Sequence, residues 1–131
     1  MASIFSRIVS GEIPAYKVAE DEDYLAFLDV FPLKKGHTLV IPKSETDYIF
    51  DLDNDDYRGL MDFAKRVAIA VKDAVRCKRV SVHVIGLEVP HAHVHLIPIN
   101  SMNDCNFANK KLKLDKEEFE QIAKAISEKF R

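Results

Sequence analysis

Three of the chain's five histidines, His91, His93 and His95, occupy alternate positions in the stretch VPHAHVHLIPI, residues 89–99. The residues that alternate with them are apolar, namely Ala92, Val94 and Leu96. Successive side chains of a β-strand point to opposite faces of its sheet. The stretch therefore predicts a strand that carries three imidazoles on one face and packs its apolar side chains into the core on the other.

Histidines in this arrangement could bind a metal ion or could act as acid, base and nucleophile. Residues two apart on a strand are separated by roughly 6.6 Å and residues four apart by about 13 Å, whereas a Zn–N bond is only about 2.0 to 2.1 Å long. One ion could be bound by a neighbouring pair of histidines but hardly by all three. Cys77 and Cys105 are far apart and form no Cys-x-x-Cys motif. We predict no metal site, and a histidine-based metal protein remains a rival hypothesis.

Acid, base and nucleophile chemistry suits imidazole because its unperturbed pKa of about 6.5 leaves a neutral ring nitrogen available at physiological pH. If His93 is a nucleophile that attacks phosphorus, an acceptor such as a backbone carbonyl must hold the proton on its other ring nitrogen. His91 and His95 can then orient the site and donate hydrogen bonds to phosphate oxygens. The structural alternative is a half-exposed edge strand with polar histidines, which does not explain three of them in register.

Three blocks of the sequence, in order, match one known family. Residues 91–97, HAHVHLI, have the pattern His-φ-His-φ-His-φ-φ, in which φ is an apolar residue. Ahead of them lie Ile4-Phe5-x-x-Ile8 with GEIPA at residues 11–15, and FLDVFPLKKGHTLVIPK at residues 27–43. On these blocks, which span most of the first hundred residues, the chain resembles the histidine triad (HIT) superfamily of nucleotide hydrolases and transferases.

The resemblance implies an enzyme that acts on purine nucleotide phosphoramidates or dinucleoside polyphosphates through a covalent nucleotidyl-histidine, without a cofactor. His93 would be the nucleophile, and the residues that position it and stabilise phosphoryl charge would be His91, His95 and His37. Asp29 would accept hydrogen bonds from the ribose hydroxyls. The positions that match the family's base pocket are Phe5, Ile8, Phe27, Val30 and Leu39. The alternative function is a non-catalytic nucleotide-binding dimer that acts as a sensor or scaffold.

The chain departs from the family pattern at two places. Some members bind zinc through a Cys-x-x-Cys motif where this chain has Ser3 and Ser6, so we expect that structural metal to be absent. Many members also have a longer loop before the triad, with Gly-Gln-Ser or Gly-Gln-Thr, where this chain has Gly86-Leu87-Glu88. An anionic Glu88 near a substrate phosphate would repel it. Contact between Glu88 and the leaving group is therefore the least defined part of the predicted site.

Length and composition are those of an ordinary globular domain. The chain has 131 residues, of which 47% are hydrophobic and 31% charged, with a net charge of −2. This size predicts a single domain over residues 1–131, with a core of about residues 3–100 and a loop plus C-terminal helix in 101–131. Near-neutral charge and short apolar runs predict neither a nucleic-acid nor a membrane partner. Two cysteines and an amino terminus without a secretory signal predict a cytoplasmic location.

Hydrophobic periodicity predicts an α+β fold. Strands are expected at residues 24–29, 37–41 and 80–85, and a long helix should follow the cap-rich residues 53–56 and run to about Cys77. Asp115 should begin a C-terminal helix. His83 lies out of phase with the valines around it, and it either faces the site or is structural. With the resemblance, we predict a HIT-like, mainly antiparallel five-stranded sheet, one long inserted helix and a C-terminal helix, in a homodimer that binds a purine nucleotide.

Overall fold

The computed structural model describes residues 2–131 and contains one five-stranded sheet with three α-helices. The strands are β1 (Lys17–Glu20), β2 (Tyr24–Leu28), β3 (Thr38–Pro42), β4 (Arg79–His83) and β5 (Val94–Ile99). The helices are α1 (Ile4–Val9), α2 (Asn54–Ala74) and α3 (Lys116–Lys129). The strand order is β1-β2-β3-β5-β4, and each neighbouring pair is antiparallel. The predicted α+β class, with its five-stranded antiparallel sheet, is confirmed.

The last strand in sequence, β5, lies inside the sheet, between β3 and β4. His95 is opposite Leu39 of β3 on one side and opposite His83 of β4 on the other. The edges of the sheet are β1 and β4. The alternative in which the histidines lie on a half-exposed edge strand is therefore wrong, because β5 has hydrogen-bonded neighbours on both sides.

The strand predicted for residues 89–99 is shorter than its alternation suggested. It begins at Val94, so His91 and His93 precede it. The ladder with β3 ends at the Val40–Val94 pair, and the amide of Ala92 instead donates to the carbonyl of Thr46 at 2.7 Å. At the corresponding end of β3, the carbonyl of Pro42 is 2.8 Å from a side-chain nitrogen of His91, and proline has no N–H to continue a ladder.

One face of the sheet is covered by the two long helices. Helix α2 begins after Asp53, whose side chain accepts from the amide of Asp56, and α3 begins after Asp115, which caps the amide of Glu118 in the same way. The apolar stripe of α2 is buried, as its periodicity predicts. Its buried side chains are Leu60, Phe63, Ala64, Val67, Ala70 and Val71. The residues that alternate with the histidines, Ala92, Val94 and Leu96, belong to this same core.

The prediction missed or misplaced some boundaries. Strand β1 was not predicted, since Lys17–Glu20 is only four residues long, has charged residues at both ends and buries only Val18. Helix α2 ends at Ala74 rather than near Cys77, and β4 ends at His83, where pairing with β5 stops. Within residues 2–131, no helix combines the length and apolar character needed to cross a membrane.

The other face of the sheet carries a second, smaller apolar cluster. Its buried residues are Phe5, Ile8, Leu25, Phe27, Leu39 and Ile41. The spacing of Ile4, Phe5 and Ile8 predicts one shared face of a helical turn, but helix α1 buries only Phe5 and Ile8, and Ile4 is 49% exposed. Because α1 has only six residues, it cannot cover the whole face, and a cavity remains beside it.

Gly36 closes the turn that leads into β3 and provides a test of the packing between the turn and α2. Its φ is +93°, and an added Cβ would lie 2.8 Å from Cγ2 of Val75. Gly11 has a similar φ of +83°, but an added Cβ would meet nothing within 4 Å. Left-handed backbone costs a residue with a Cβ about 1–2 kcal/mol, and overpacking costs about 1–3 kcal/mol more. In urea unfolding, Gly36→Ala should lose clearly more stability than Gly11→Ala, and equal losses would contradict this packing.

Candidate active site

A cavity of about 460 Å³ opens on the face of the sheet that carries the smaller apolar cluster. This volume lies in the range of small-molecule sites, about 300 to 1,000 Å³. All five residues predicted for the base pocket line it, namely Phe5, Ile8, Phe27, Val30 and Leu39. It is also lined by Asp29, His37, His93, His95 and Glu88. The structure thus gathers nearly all of the predicted residues around one cavity, while their roles remain predictions.

The central histidine, His93, is held in one tautomer by the backbone carbonyl of His91. Nδ1 of His93 lies 2.7 Å from the carbonyl oxygen of His91, and this carbonyl can only accept, so Nδ1 carries the proton. Nε2 therefore has a free lone pair when the ring is neutral, and it has no hydrogen-bond partner in residues 2–131. The ring of Phe5 meets that of His93 edge to face at 5.0 Å and restricts its orientation further.

The tautomers of His37 and His95 are fixed by a chain of hydrogen bonds. The amide of Leu33 donates to Nδ1 of His37 at 3.1 Å, so the proton of a neutral His37 is on Nε2. Nε2 is 3.0 Å from Nδ1 of His95 and donates to it. The proton of His95 is therefore on its Nε2. This Leu33–His37–His95 chain leaves His95 with an N–H donor at the cavity, beside the bare nitrogen of His93.

Burial keeps the Leu33–His37–His95 chain uncharged. Loss of solvent lowers the pKa of His37 to about 3, and the neighbouring His95 and Lys111 lower it in the same direction. Loss of solvent likewise lowers the pKa of His95 to about 4, with a smaller contribution from His93. Both rings are therefore neutral near pH 7, which is the state that the hydrogen-bond directions require.

His91 does not line the cavity, which corrects the prediction that all three imidazoles face the site. Its Nε2 lies 2.8 Å from the carbonyl of Pro42, so Nε2 donates. Its Nδ1 then accepts, from the hydroxyl of Ser3 at 2.8 Å. Both ring nitrogens are thus used inside the fold, and the ring is fully buried. His91 acts on the site through its backbone carbonyl, which holds His93.

Ser3, Ser6 and Glu45 form a hydrogen-bonded cluster behind His91 that the sequence did not predict. The hydroxyl of Ser6 donates to Glu45 at 2.8 Å, and the backbone amide of Ser3 donates to the same carboxylate oxygen. The hydrogen bond from the Ser3 amide, and after it that from the Ser6 hydroxyl, hold the pKa of Glu45 well below its usual range. Serine hydroxyls are not the thiolate and imidazole donors that structural zinc prefers. The cluster therefore fits a hydrogen-bonded support for His91 and does not fit the zinc site of some family members.

Asp29 lies beside the buried histidines with one oxygen uncommitted. Its Oδ1 accepts from the amide of Phe31 at 2.9 Å, and its Oδ2 is 3.6 Å from Nε2 of His37. Burial raises the pKa of this carboxyl, although the Phe31 amide acts in the opposite direction. Possible ligand atoms of Asp29, His37 and His95 lie within 4.8 Å of one another. A metal ion there would have to replace the proton that His37 donates to His95 and break that hydrogen bond.

His83 and the two residues Phe107 and Lys111 complete the surroundings of the cavity. His83 does not line it, and its Nε2 is instead 3.1 Å from the hydroxyl of Ser81. Phe107 and Lys111 do line it. They were missed because they lie in a polar stretch without periodicity, and the turn-like composition of that stretch gives no sign that it returns to the site.

Comparison with known proteins assigns the chain to a family. The sequence model of the HIT domain matches residues 10–102 of the chain, which include Asp29 and all the histidines of the site. The chain belongs to the HIT family. The resemblance drawn from the histidine motif is therefore confirmed.

Named HIT relatives are found among bacteria and yeasts. An uncharacterized HIT-like protein of Borreliella burgdorferi is 34% identical over 132 residues, which cover 95% of each chain. The adenosine 5'-monophosphoramidase HNT1 of Saccharomyces cerevisiae is 38% identical over 98 residues, which cover 74% of this chain and 62% of the yeast protein. The crystal structure of a HIT-like protein from Bartonella henselae, at 30% identity, matches 98% of this chain and 96% of that one with a TM-score of 0.84.

The neutral histidines make the stability of this HIT protein depend on pH. An unfolded histidine titrates near pH 6.5, while the pKa values of His37 and His95 in the fold are lowered to about 3 and about 4. Between these limits the unfolded chain binds protons that the folded chain does not, so the free energy of unfolding should fall as pH drops below about 6.5. Asp29, whose pKa is raised, opposes part of this loss at the acidic end.

Urea unfolding at a series of pH values measures this dependence. The variant His37→Gln lacks one of the three histidines whose pKa burial lowers, the others being His91 and His95, so its curve between pH 6.5 and 4 should be flatter than that of the wild type. A variant with an unchanged slope would show that burial does not keep His37 neutral.

Proposed function

We propose that this HIT protein hydrolyses or transfers the nucleotidyl group of purine nucleoside phosphoramidates through a covalent nucleotidyl-histidine at His93. The observation that carries the proposal is the 2.7 Å hydrogen bond between Nδ1 of His93 and the carbonyl of His91, which leaves Nε2 free at the cavity. The name of the yeast relative, adenosine 5'-monophosphoramidase, supports the phosphoramidate class. Dinucleoside polyphosphates, which carry a nucleotidyl group on a phosphate leaving group, are the second substrate class.

The reaction takes place in two displacements at phosphorus. In the first, the lone pair of His93 Nε2 forms a bond to the α-phosphorus, and the P–N bond breaks with its electron pair on the amine, which takes a proton from water. In the second, water attacks the same phosphorus and loses a proton. The P–Nε2 bond breaks and its electron pair returns to His93, so the proton released balances the one taken up by the amine.

His95 and His37 stabilise the charge that develops on the phosphoryl oxygens. The Nε2–H of His95 is an N–H donor at the cavity, and its ring centroid lies 5.0 Å from that of His93. His37 fixes that donor by occupying Nδ1 of His95 at 3.0 Å. A donor that is oriented before the substrate arrives needs no rearrangement as charge develops, which is a large source of rate enhancement.

The two ends of the nucleoside match different parts of the cavity. Phe5, Phe27 and Leu39 present apolar surface suited to a purine ring. Asp29 is suited to the ribose because burial has removed solvent from its carboxyl, as its raised pKa indicates. Ribose hydroxyls would supply hydrogen bonds in place of the lost water, and the free Oδ2 is the acceptor.

We also propose that the protein is a cytoplasmic homodimer. Strand β4 is an edge of the sheet, and the apolar side chains Val82, Val84 and Ile85 on and after it are 52%, 40% and 46% exposed. An edge with unpaired backbone and exposed apolar groups is suited to pairing with a second copy. Cys77 and Cys105 are both free, which accords with a reducing compartment.

The rival proposal, a nucleotide-binding protein without catalysis, is favoured by one observation. Glu88 lines the same cavity as His93, and its carboxylate would repel a substrate phosphate or an anionic leaving group. A leaving amine carries no such negative charge, so this arrangement disfavours polyphosphates more than phosphoramidates. Binding of nucleotide without any turnover would support the rival.

The covalent step can be tested by mixing the protein with adenosine 5'-phosphoramidate and recording the intact mass after a quench that avoids acid. Wild type should gain one adenylyl group and turn over the substrate. His93→Ala should form no adduct and lose turnover by roughly 10³-fold or more, because the attacking nitrogen is gone.

His83→Ala is the matched control, since His83 lies on the neighbouring strand and outside the cavity lining. It should form the adduct and keep turnover close to wild type. Turnover by His93→Ala at the wild-type rate would overturn the nucleophile assignment.

Light scattering on the same wild-type sample tests the dimer, and a monomer at micromolar concentration would contradict it.

A further inference from the structure

The segment between β5 and α3 returns to the active site. Its first residues form a short 3-10 helix, Met102–Cys105, and the remainder is irregular. The amide of Leu112 donates to the carbonyl of Pro32 at 2.8 Å, and Lys34 pairs with Asp104 at 3.4 Å. The segment is thus fastened at both ends to the turn between β2 and β3. Beyond residue 102 it lies outside the span that the HIT domain matches.

Phe107 places this segment against the histidines. Its ring centroid is 5.0 Å from that of His95, 5.5 Å from that of His83 and 6.4 Å from that of His37, each in an edge-to-face arrangement. Since Phe107 contacts both rings of the His37–His95 hydrogen bond, it limits the access of water to them. Its backbone carbonyl, in turn, holds the side chain of Lys111 at 2.6 Å.

Lys111 brings a permanent positive charge to a cavity that also contains two carboxylates. Of the described residues that line the cavity, Asp29 and Glu88 are acidic, and Lys111 is the one lysine or arginine. His37 and His95 contribute no charge near pH 7, because burial lowers their pKa values to about 3 and about 4. A bound nucleotide brings at least one negative charge on its phosphate into this environment.

The ammonium of Lys111 also has one N–H group available for a ligand. Its Nζ donates to the carbonyl of Phe107 at 2.6 Å and to the carbonyl of Asn109 at 3.1 Å. An ammonium has three N–H groups, so one remains. The two carbonyls fix the position of the ammonium before a ligand arrives. Binding of a ligand therefore loses little side-chain entropy of Lys111.

We propose that Lys111 binds the phosphate of the nucleotide, and that the segment 101–114 thereby adds a specificity-determining residue to the site. This inference rests on the proposed function to the extent that the cavity must bind a nucleotide. Lys111 offsets the repulsion of Asp29 and Glu88 and makes the cavity favour nucleotides over uncharged nucleosides.

Calorimetric binding of AMP and of adenosine to the 131-residue chain tests this assignment. Loss of one charge-assisted hydrogen bond corresponds to roughly a ten- to a hundredfold change in affinity. Lys111→Met should therefore bind AMP weaker by that factor while its affinity for adenosine stays within about twofold. Lys111→Arg, which keeps the charge, should recover most of the AMP affinity.

Lys110→Met is the matched control, because Lys110 is the exposed neighbour in sequence and does not line the cavity. It should bind both ligands as wild type does. Equal weakening of AMP and adenosine in Lys111→Met would show a structural role and overturn the proposal, as would unchanged AMP affinity. If wild type binds neither ligand, the proposed function itself fails, so the two failures are distinguishable.

Discussion

The hydrogen bond from Nδ1 of His93 to the carbonyl of His91 is the constraint on which the site depends. It forms because β5 begins only at Val94, so the carbonyl of His91 makes no hydrogen bond to a neighbouring strand and can accept from His93. The ring of His91 stabilises this backbone conformation, because its Nε2 donates a hydrogen bond to the carbonyl of Pro42 and its Nδ1 accepts one from the hydroxyl of Ser3. The first histidine of the motif is thus a structural support, and its backbone carbonyl orients the ring of His93.

The position of β5 explains why His37 and His95 are neutral. Between β3 and β4, His95 is buried beside His37, and a charged imidazole without solvent would cost far more than a neutral one. Their hydrogen bonds direct one N–H of His95 to the cavity. The proposed role of Lys111 follows from the same neutrality, since His37 and His95 bring no charge to the cavity that Lys111 lines.

The sequence predicted the elements whose apolar residues recur at a regular spacing. Period two located the buried Ala92, Val94 and Leu96, helical periodicity located α2, and the motif identified the family. It could not predict that His91 turns away from the cavity, because that depends on Ser3 and Pro42, which are distant in sequence. It missed Lys111 for the same reason, since the position of an irregular segment is set by contacts such as that between Leu112 and Pro32.

The central claim, that backbone and side-chain hydrogen bonds preset the histidine tautomers, can be measured directly. Long-range ¹H–¹⁵N correlation spectra of protein labelled at histidine, recorded near pH 7, distinguish protonated from bare ring nitrogens. The structure predicts a proton on Nδ1 and none on Nε2 of His93, and protons on Nε2 of His37 and His95. A neutral His93 with its proton on Nε2 would contradict the account, because Nε2 would then have no lone pair with which to attack phosphorus.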